Sequence, residues 1–575
     1  MPALVTNKFR MFNAKQFRES FDEDSGMTTF ANTVAGDTYL ESNMYLFIGG
    51  VQNWANVAGA AAADTDTVPP TPTDSVSNTY YNHWKDMIAA KKVVSTDVTH
   101  CIPRYNWANN TSYFAYNNTE NTMLANSFYV LTDEYNVYKC LANNNSGGNS
   151  LAKPIGQATT IVTPGSDGYK WKYMFTISAA SALKFVTTNY IPVQQVRYQN
   201  TIMASATQEN TLQRAVENGA VDGAINIYRK TANGTVGGAE YLIFETNTLD
   251  NGFGSAYSHT TTSVRIHSTA SAADNIYIGS DIFFTSGNAE GQGGTITDYV
   301  GSTKVITFAP AVSSAAAQSD SFQIAPRLQI LGDGASANCR ANGTNTSGLT
   351  DVVTIAAGSG YTNAVVNVLA NTSWNTDDAT VQAVIEPKGG HGFDSTEELG
   401  GYNVMVNVRL ENDESGEFTV ANDFRKIGLI SHPNAANTQN DIDLGTPATI
   451  SLADQALRVT VQSFSGSAYA ADQLVTGSVS GATGRVVDWT SGTSKLRMSQ
   501  VTKGSNASNG WDATPGSFQG NEALTVVGGA TTSNTSAIEG PDLKQYTGDI
   551  LYVENRSPIS RASDQIEDVK LIINF

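Results

Sequence analysis

The chain has 575 residues, 40% hydrophobic and only 15% charged, with a net charge of −19. Its length exceeds what one core can hold and suggests about four domains. The deficit of Lys and Arg argues against a general role on nucleic acid or anionic membrane, where affinity rests on cationic side chains.

Asn, Thr, Ser and Gly carry most of the polar surface, a mix that favours strands and turns over long helices. Phe17 and Phe21 at i, i+4 predict a short helix over Asn13–Phe21, and Tyr39–Gly49 reads as a strand. After a loop rich in Ala, Thr and Pro, the spacing of Tyr80, Trp84, Met87 and Ile88 predicts an amphipathic helix over Tyr80–Lys92. Lys91 and Lys92 would then sit where the helix dipole favours cations. Strands follow at Phe128–Leu131, Tyr135–Leu141 and Gly168–Ile177. In the last, Tyr169, Trp171, Tyr173 and Phe175 are expected on one face as core packing.

From about Ala206 aromatics thin out, and short Val/Ile strands alternate with Gly, Asn, Ser and Thr turns. Ile282–Phe308 and Leu474–Met498 share one plan: strand, Gly-rich turn, a strand ending Asp298-Tyr299 or Asp488-Trp489, a small-residue turn, then Lys304-Val305 or Lys495-Leu496. Shared ancestry and convergent hairpin chemistry both explain that likeness. Asp351–Leu369 reads as a hairpin turning at Ala357–Tyr361, and Gly400–Leu410 alternates with Tyr402, Val404, Val406, Val408 and Leu410 on one face. The expected fold is mainly β with a few short helices: a multi-domain, β-sandwich-like architecture in which a discontinuous scaffold carries two β-rich insertions. Its segments are 1–205 (scaffold, α+β), 206–390 (insertion), 391–435 (scaffold strands), 436–540 (second insertion) and 541–575 (scaffold strands). At the C-terminal end, Ile550–Val553 and Val569–Phe575 are expected to pair as antiparallel partners.

Motifs for catalysis are missing. The sequence has no G-x-S-x-G, P-loop or HExxH pattern, and its six histidines are dispersed. Cys101, Cys140 and Cys339 are too few and too scattered for a disulfide framework or a CxxC site and read as small buried thiols. The most site-like cluster is His391 in Gly389–Phe393, beside Asp394, Glu397 and Glu398; a Gly-rich linker is the expected role. Asp64 and Asp66 lack the spacing of a Ca²⁺ loop and are expected to be solvated. Neither a cofactor nor a metal nor a catalytic group is expected. Met1–Arg10 lacks the apolar core of a signal peptide, and no apolar run approaches about 18 residues. Synthesis and folding in a reducing cytoplasm, without a membrane span, is the expectation.

The chain carries a series of short blocks in this order: Val5–Arg10 (VTNKFR), Pro69–Val76 (PPTPTDSV), Ile102–Trp107 (IPRYNW), Tyr138–Leu141 (YKCL), Asp167–Phe175 (DGYKWKYMF), Asn189–Val193 (NYIPV), Phe424–Pro433 (FRKIGLISHP), Gly548–Ile559 (GDILYVENRSPI) and Asp564–Phe575 (DQIEDVKLIINF). In these blocks the chain resembles the baseplate wedge subunit of T4-like contractile-tailed bacteriophages, the product of gene eight, in a long form of cyanophage type. The two Gly/Asn/Thr-rich insertions have no counterpart in shorter members.

The resemblance implies a non-enzymatic virion protein of the tail baseplate: a homodimer that assembles with other wedge proteins and transmits the baseplate rearrangement when the tail contracts. It marks Arg104, Trp107, Trp171, Tyr552, Glu554, Asn555, Arg556 and Asp564 as structural positions. The insertions are expected to contact neighbouring fibre or wedge proteins. The alternative is a tail fibre or receptor-binding virion protein with carbohydrate-binding β-modules, although no heptad or many-copy shaft repeat is present. A secreted carbohydrate-active enzyme would need a signal peptide and recognisable catalytic acids.

Overall fold

Strand accounts for 44% of the described residues and helix for 10%, in several sheets joined by short helices, so the fold is mainly β. The structure is a computed structural model and describes residues 4–21, 43–57, 60–75, 78–144, 148–194, 208–233, 245–344, 348–369, 379–410, 423–436, 448–502, 518–560 and 566–575. The chain divides into two units, one made of 1–101 and 402–575, the other of 102–401.

In the first unit the apolar run Met44–Gly49 is buried along its whole length and forms the centre of a five-stranded sheet. The order is Leu452–Asp454, Met87–Val93, Met44–Gly49, Asp423–Ser431, Asp549–Ser560. Gly428 lies opposite Phe47, and a Cβ there would run into the Phe47 ring; only glycine allows that approach. In a second sheet Asn403–Leu410 lies between Glu567–Asn574 and Val98–Pro103. Val404, Val406, Val408 and Leu410 share one core with Leu46, Ile48, Ile427, Leu429, Val569 and Leu571. Thr6 caps the helix Asn7–Glu19, which is longer than predicted; its Phe17 ring sits 5.2 Å from both Phe21 and Phe575.

Three predicted elements change. The second helix covers Asn78–Asp86 and stops there, because Met87–Val93 is drawn into the sheet between two partner strands. Ladder hydrogen bonds and burial of Ala89 and Ala90 outweigh the helical spacing, and Lys91 reaches the Arg409 carbonyl instead of a helix end. Gly348–Ser359 and Ala364–Leu369 do not form a hairpin: the first pairs with Ala335–Thr344, the second with Arg327–Gly332 and Ala379–Val384. Nor do the two C-terminal strands pair with each other. Asp549–Ser560 runs along Asp423–Ser431, while Glu567–Asn574 runs in unbroken register along Asn403–Leu410. Each finds a long apolar partner in the middle segment, with which it buries more than a short hairpin would.

The second unit contains a sheet ordered Tyr129–Leu131, Asn136–Asn143, Tyr169–Thr176, Ile161–Val162. Val137 faces Phe175 and Tyr138 faces Tyr173, so Met174 is an extra residue at a bulge. The bulge turns Phe175 away from Tyr169, Trp171 and Tyr173, and the expected stripe of four aromatics becomes three.

The likeness between the two Gly-rich modules extends to their whole topology. In the second unit a six-stranded sheet runs Glu245–Thr248, Ser321–Ala325, Asp281–Phe284, Gly293–Val300, Val305–Ala309, Ser263–Arg265. In the first unit a closed barrel runs Thr532–Glu539, Ala523–Val526, Leu474–Gly477, Thr483–Thr490, Lys495–Thr502, Leu457–Ser465. Ile296, Asp298, Tyr299 and Val300 face Phe308, Thr307, Ile306 and Val305; Val486, Asp488, Trp489 and Thr490 face Met498, Arg497, Leu496 and Lys495 in the same register. Both hairpins skip one residue, Thr297 or Val487, at the same point. The modules differ in connectivity, since the end strand Glu245–Thr248 comes first in its module and Thr532–Glu539 comes last. One six-stranded order thus occurs twice, circularly permuted: pairing of Leu457–Ser465 with Thr532–Glu539 closes it in the first unit, and the sheet of the second unit is open.

Asp488, just after the barrel's bulge, is largely desolvated; burial, only partly offset by Arg497, pushes its pKa up to about 6. An unfolded Asp titrates near 3.9, so between about pH 4 and pH 6 the folded barrel binds this proton more tightly, and stability falls as pH rises through that window. Asp488→Asn is expected to raise hydrogen-exchange protection of the 483–502 hairpin by about 1–2 kcal/mol at pH 7, with little change at pH 4. Equal protection of both proteins at pH 7 would contradict this.

Candidate functional site

The positions marked by the sequence fall into two groups. In the second unit Arg104 donates to Asn106 Oδ1 and the Thr187 carbonyl, both at 2.9 Å, and fixes the entry to the aromatic sheet. Trp107 Nε1 donates to Ser150 Oγ at 3.2 Å. Trp171 is fully buried, stacked on Tyr169 at 5.5 Å and meeting Tyr113 edge-on at 5.7 Å. These three are packing and pinning residues.

In the first unit Tyr552, Glu554 and Arg556 lie along one face of Asp549–Ser560. Arg556 grips both Glu554 oxygens, at 2.9 and 3.0 Å, and Tyr552 Oη donates to Glu554 Oε2 at 3.1 Å. Asn555 points the other way and donates to the Pro70 carbonyl at 2.8 Å, while Trp54 Nε1 donates to the Arg556 carbonyl at 2.8 Å. Asp564 lies outside the described residues. Asp66, expected to be solvated, accepts a two-pronged contact from Arg425 at 2.8 and 2.9 Å, which holds its carboxyl below the usual range. Asp64 caps a turn at Ala61 N. All three cysteines are buried, and burial pushes the Cys101 and Cys339 thiols up to about 12.

The most concentrated chemistry was not legible as a cluster. Lys139, on Asn136–Asn143, and Lys172, on Tyr169–Thr176, are direct register partners, and both are buried, Lys139 completely. Like charges opposite each other in a sheet repel, and each buried ammonium carries a desolvation cost of several kcal/mol. The compensating charge comes from far along the chain, Glu398 lying 259 residues from Lys139. Lys139 Nζ donates to Glu398 Oε2 at 2.8 Å and to His391 Nδ1 at 3.0 Å. Glu398 Oε1 accepts the backbone N–H of Gly392 at 2.7 Å and of Asp394 at 3.4 Å. Glu386 Oε2 accepts the His391 N–H at 2.9 Å, and its Oε1 accepts from Asn226 Nδ2 at 2.5 Å. Tyr116 lies under the Lys139 ammonium at 4.2 Å and meets the His391 ring edge-on at 4.7 Å. Lys172 Nζ donates to the Thr159 carbonyl.

The charge states follow from burial and contact. Burial alone would raise Glu398, but the Lys139 ammonium beside it holds the carboxyl at about 2. Burial, reinforced by Lys139, lowers His391, so its neutral ring accepts through Nδ1. Burial also lowers both lysines, against the pull of Glu386 and Glu398.

The expected linker at Gly389–Phe393 is therefore a packed strap, and His391 within it is 3% exposed. Gly390 and Gly392 adopt φ of +92°, and a Cβ on either would collide with Val221 or Val216. Those glycines let the strap lie flat and deliver Glu398. The signal missed was the two lysines inside Tyr138-Lys-Cys and Trp171-Lys-Tyr, in strands buried on both faces.

Among the described residues no group of three or more His, Cys, Asp or Glu could hold a metal, and no helix is long and apolar enough to cross a membrane. No protein-family model matches the chain, and no curated protein matches it in sequence.

Lys139→Met, which leaves the buried carboxylates short of their main counter-charge, is expected to cost about 3–5 kcal/mol in the second unit. The double variant Lys139→Met/Glu398→Leu should recover most of that loss. Hydrogen exchange over 136–143 and 169–176 reads both. Additive losses would show that the two residues do not act as a pair.

Proposed function

We propose that the chain is a non-enzymatic structural subunit of a phage tail baseplate wedge. In this reading it works as a homodimer, assembles with other wedge proteins in the virion, and passes on the baseplate rearrangement when the tail contracts. The observation that carries the reading is that the ordered blocks contact one another. Val5–Arg10 meets Asp564–Phe575 through Arg10 and the Phe575 carbonyl, and Pro69–Val76 meets Gly548–Ile559 through Asn555. Phe424–Pro433 pairs with Gly548–Ile559 strand to strand. In the second unit Ile102–Trp107 bonds to Asn189–Val193, and Tyr138–Leu141 pairs with Asp167–Phe175. Blocks distant in sequence are thus tied to one another, two pairs of them strand to strand, which suits a rigid framework under load. The buried charges also suit a framework, since Lys139 pairs with Glu398 and Arg425 with Asp66.

A part that holds position and moves as a body works through extended protein surfaces rather than a pocket. Light scattering on the purified protein is expected to report a dimer, and antibody raised against it should decorate the baseplates of intact particles. A trimer together with label confined to distal fibre tips would overturn the wedge reading in favour of a fibre.

A further inference from the structure

Amide condensation needs an amine nucleophile, an acceptor for its proton, a carboxyl group with a polarised carbonyl, and exclusion of the water that would favour hydrolysis. The strap and the aromatic sheet of the second unit assemble all four. Lys139 Nζ is the amine, 2.8 Å from Glu398 Oε2. His391 Nδ1, 3.0 Å from Nζ, is a neutral acceptor. Gly392 donates its backbone N–H to Glu398 Oε1 at 2.7 Å, with the Asp394 N–H further off at 3.4 Å, on the oxygen where an oxyanion would develop. Lys139 is 0% exposed and His391 3%, under the Tyr116 ring, so bulk water is excluded.

We propose that Lys139 and Glu398 condense to an intramolecular isopeptide bond, with His391 as the proton carrier. One proton passes from Nζ to Oε2 across their contact, giving a neutral amine and a neutral carboxyl. Nζ then adds to the Glu398 carboxyl carbon while the Gly392 and Asp394 N–H groups hold the charge that develops on Oε1. His391 Nδ1 takes a second proton from Nζ and passes it to the departing Oε2, which leaves as water. The Nζ–Cδ bond forms and the Cδ–Oε2 bond breaks. The third Nζ proton stays as the amide N–H, His391 returns neutral, and nothing is oxidised or reduced.

Burial favours this direction. An ammonium and a carboxylate kept out of water are costly, and condensation removes both charges and releases a water. The charges left, Lys172 and Glu386, still balance. The structure holds the reactants in contact, and the proposal is independent of the baseplate reading.

Intact-mass measurement of the full chain under denaturing conditions decides it. The expected mass is about 18 Da below that of the sequence, the loss of one water on acyl transfer to the amine. Proteolysis should release a branched peptide joining the segments around Lys139 and Glu398. An unmodified mass overturns the proposal, and because it is read on the wild-type chain no variant has to fold. A deficit that persists in Lys139→Arg also overturns it, by placing the loss elsewhere. His391→Ala is expected to accumulate the uncondensed chain; full condensation in that variant would remove His391 from the mechanism.

Discussion

Two lysines face each other inside a sheet, and much of the second unit follows from neutralising them. Lys139 and Lys172 occupy opposite positions on neighbouring strands, and burial leaves their repulsion to be relieved by buried carboxylates. Glu386 and Glu398 do so from a strap remote in sequence. That requirement explains why the strap is Gly-rich: Gly390 and Gly392 must pass close to other backbone and side chains, and the Gly392 N–H must reach Glu398. It also explains Asp394, which accepts the Glu397 N–H to cap the short helix that carries Glu398. The segment with the most site-like sequence thus acts first as a structural clasp.

The first unit ties its segments together with ion pairs and side-chain hydrogen bonds. Arg425 closes the loop carrying Asp66, Arg10 ties the first helix to the Phe575 carbonyl, and the Glu554–Arg556 pair lines a face of a sheet-edge strand. Paired charges and Pro558 on that strand discourage indiscriminate strand addition. In the proposed wedge role, this protection leaves partner choice to side-chain surfaces rather than open backbone. The two six-stranded modules add a different texture, one topology used twice with its end strand supplied from opposite ends of the segment. Identical register at the Asp298-Tyr299 and Asp488-Trp489 hairpins makes the repeat hard to attribute to turn chemistry alone.

Local patterns in the sequence revealed the β-rich class, the strands near Tyr129, Asn136 and Tyr169, and the hairpins of both modules, because period-two alternation and Gly turns are properties of adjacent residues. Partner choice was not legible. Met87 and Ile88 fit a helical face until two flanking strands claim them, and the strands at Asp549 and Glu567 invite pairing until longer partners compete. The bulge at Met174 breaks an alternation that reads as unbroken. The candidate site was half visible: His391 and Glu398 stood out, but their counter-charge sits inside a block that reads as plain core. A lysine between apolar residues in a doubly buried strand is a local mark of a distant carboxylate, and that rule would have found the pair.

The functional reading joins these levels. Block residues spend their polar groups on one another, the sheets they form are pinned at their edges, and nothing among the described residues gathers a metal-binding set. The most direct measurement of the proposed wedge role is a reconstruction of an intact phage baseplate that carries this chain, at a resolution that traces chains. The wedge reading predicts two copies of this fold in every wedge, each touching other wedge proteins. Density for it only at the end of a fibre, or in three-fold symmetry on a shaft, would contradict that reading.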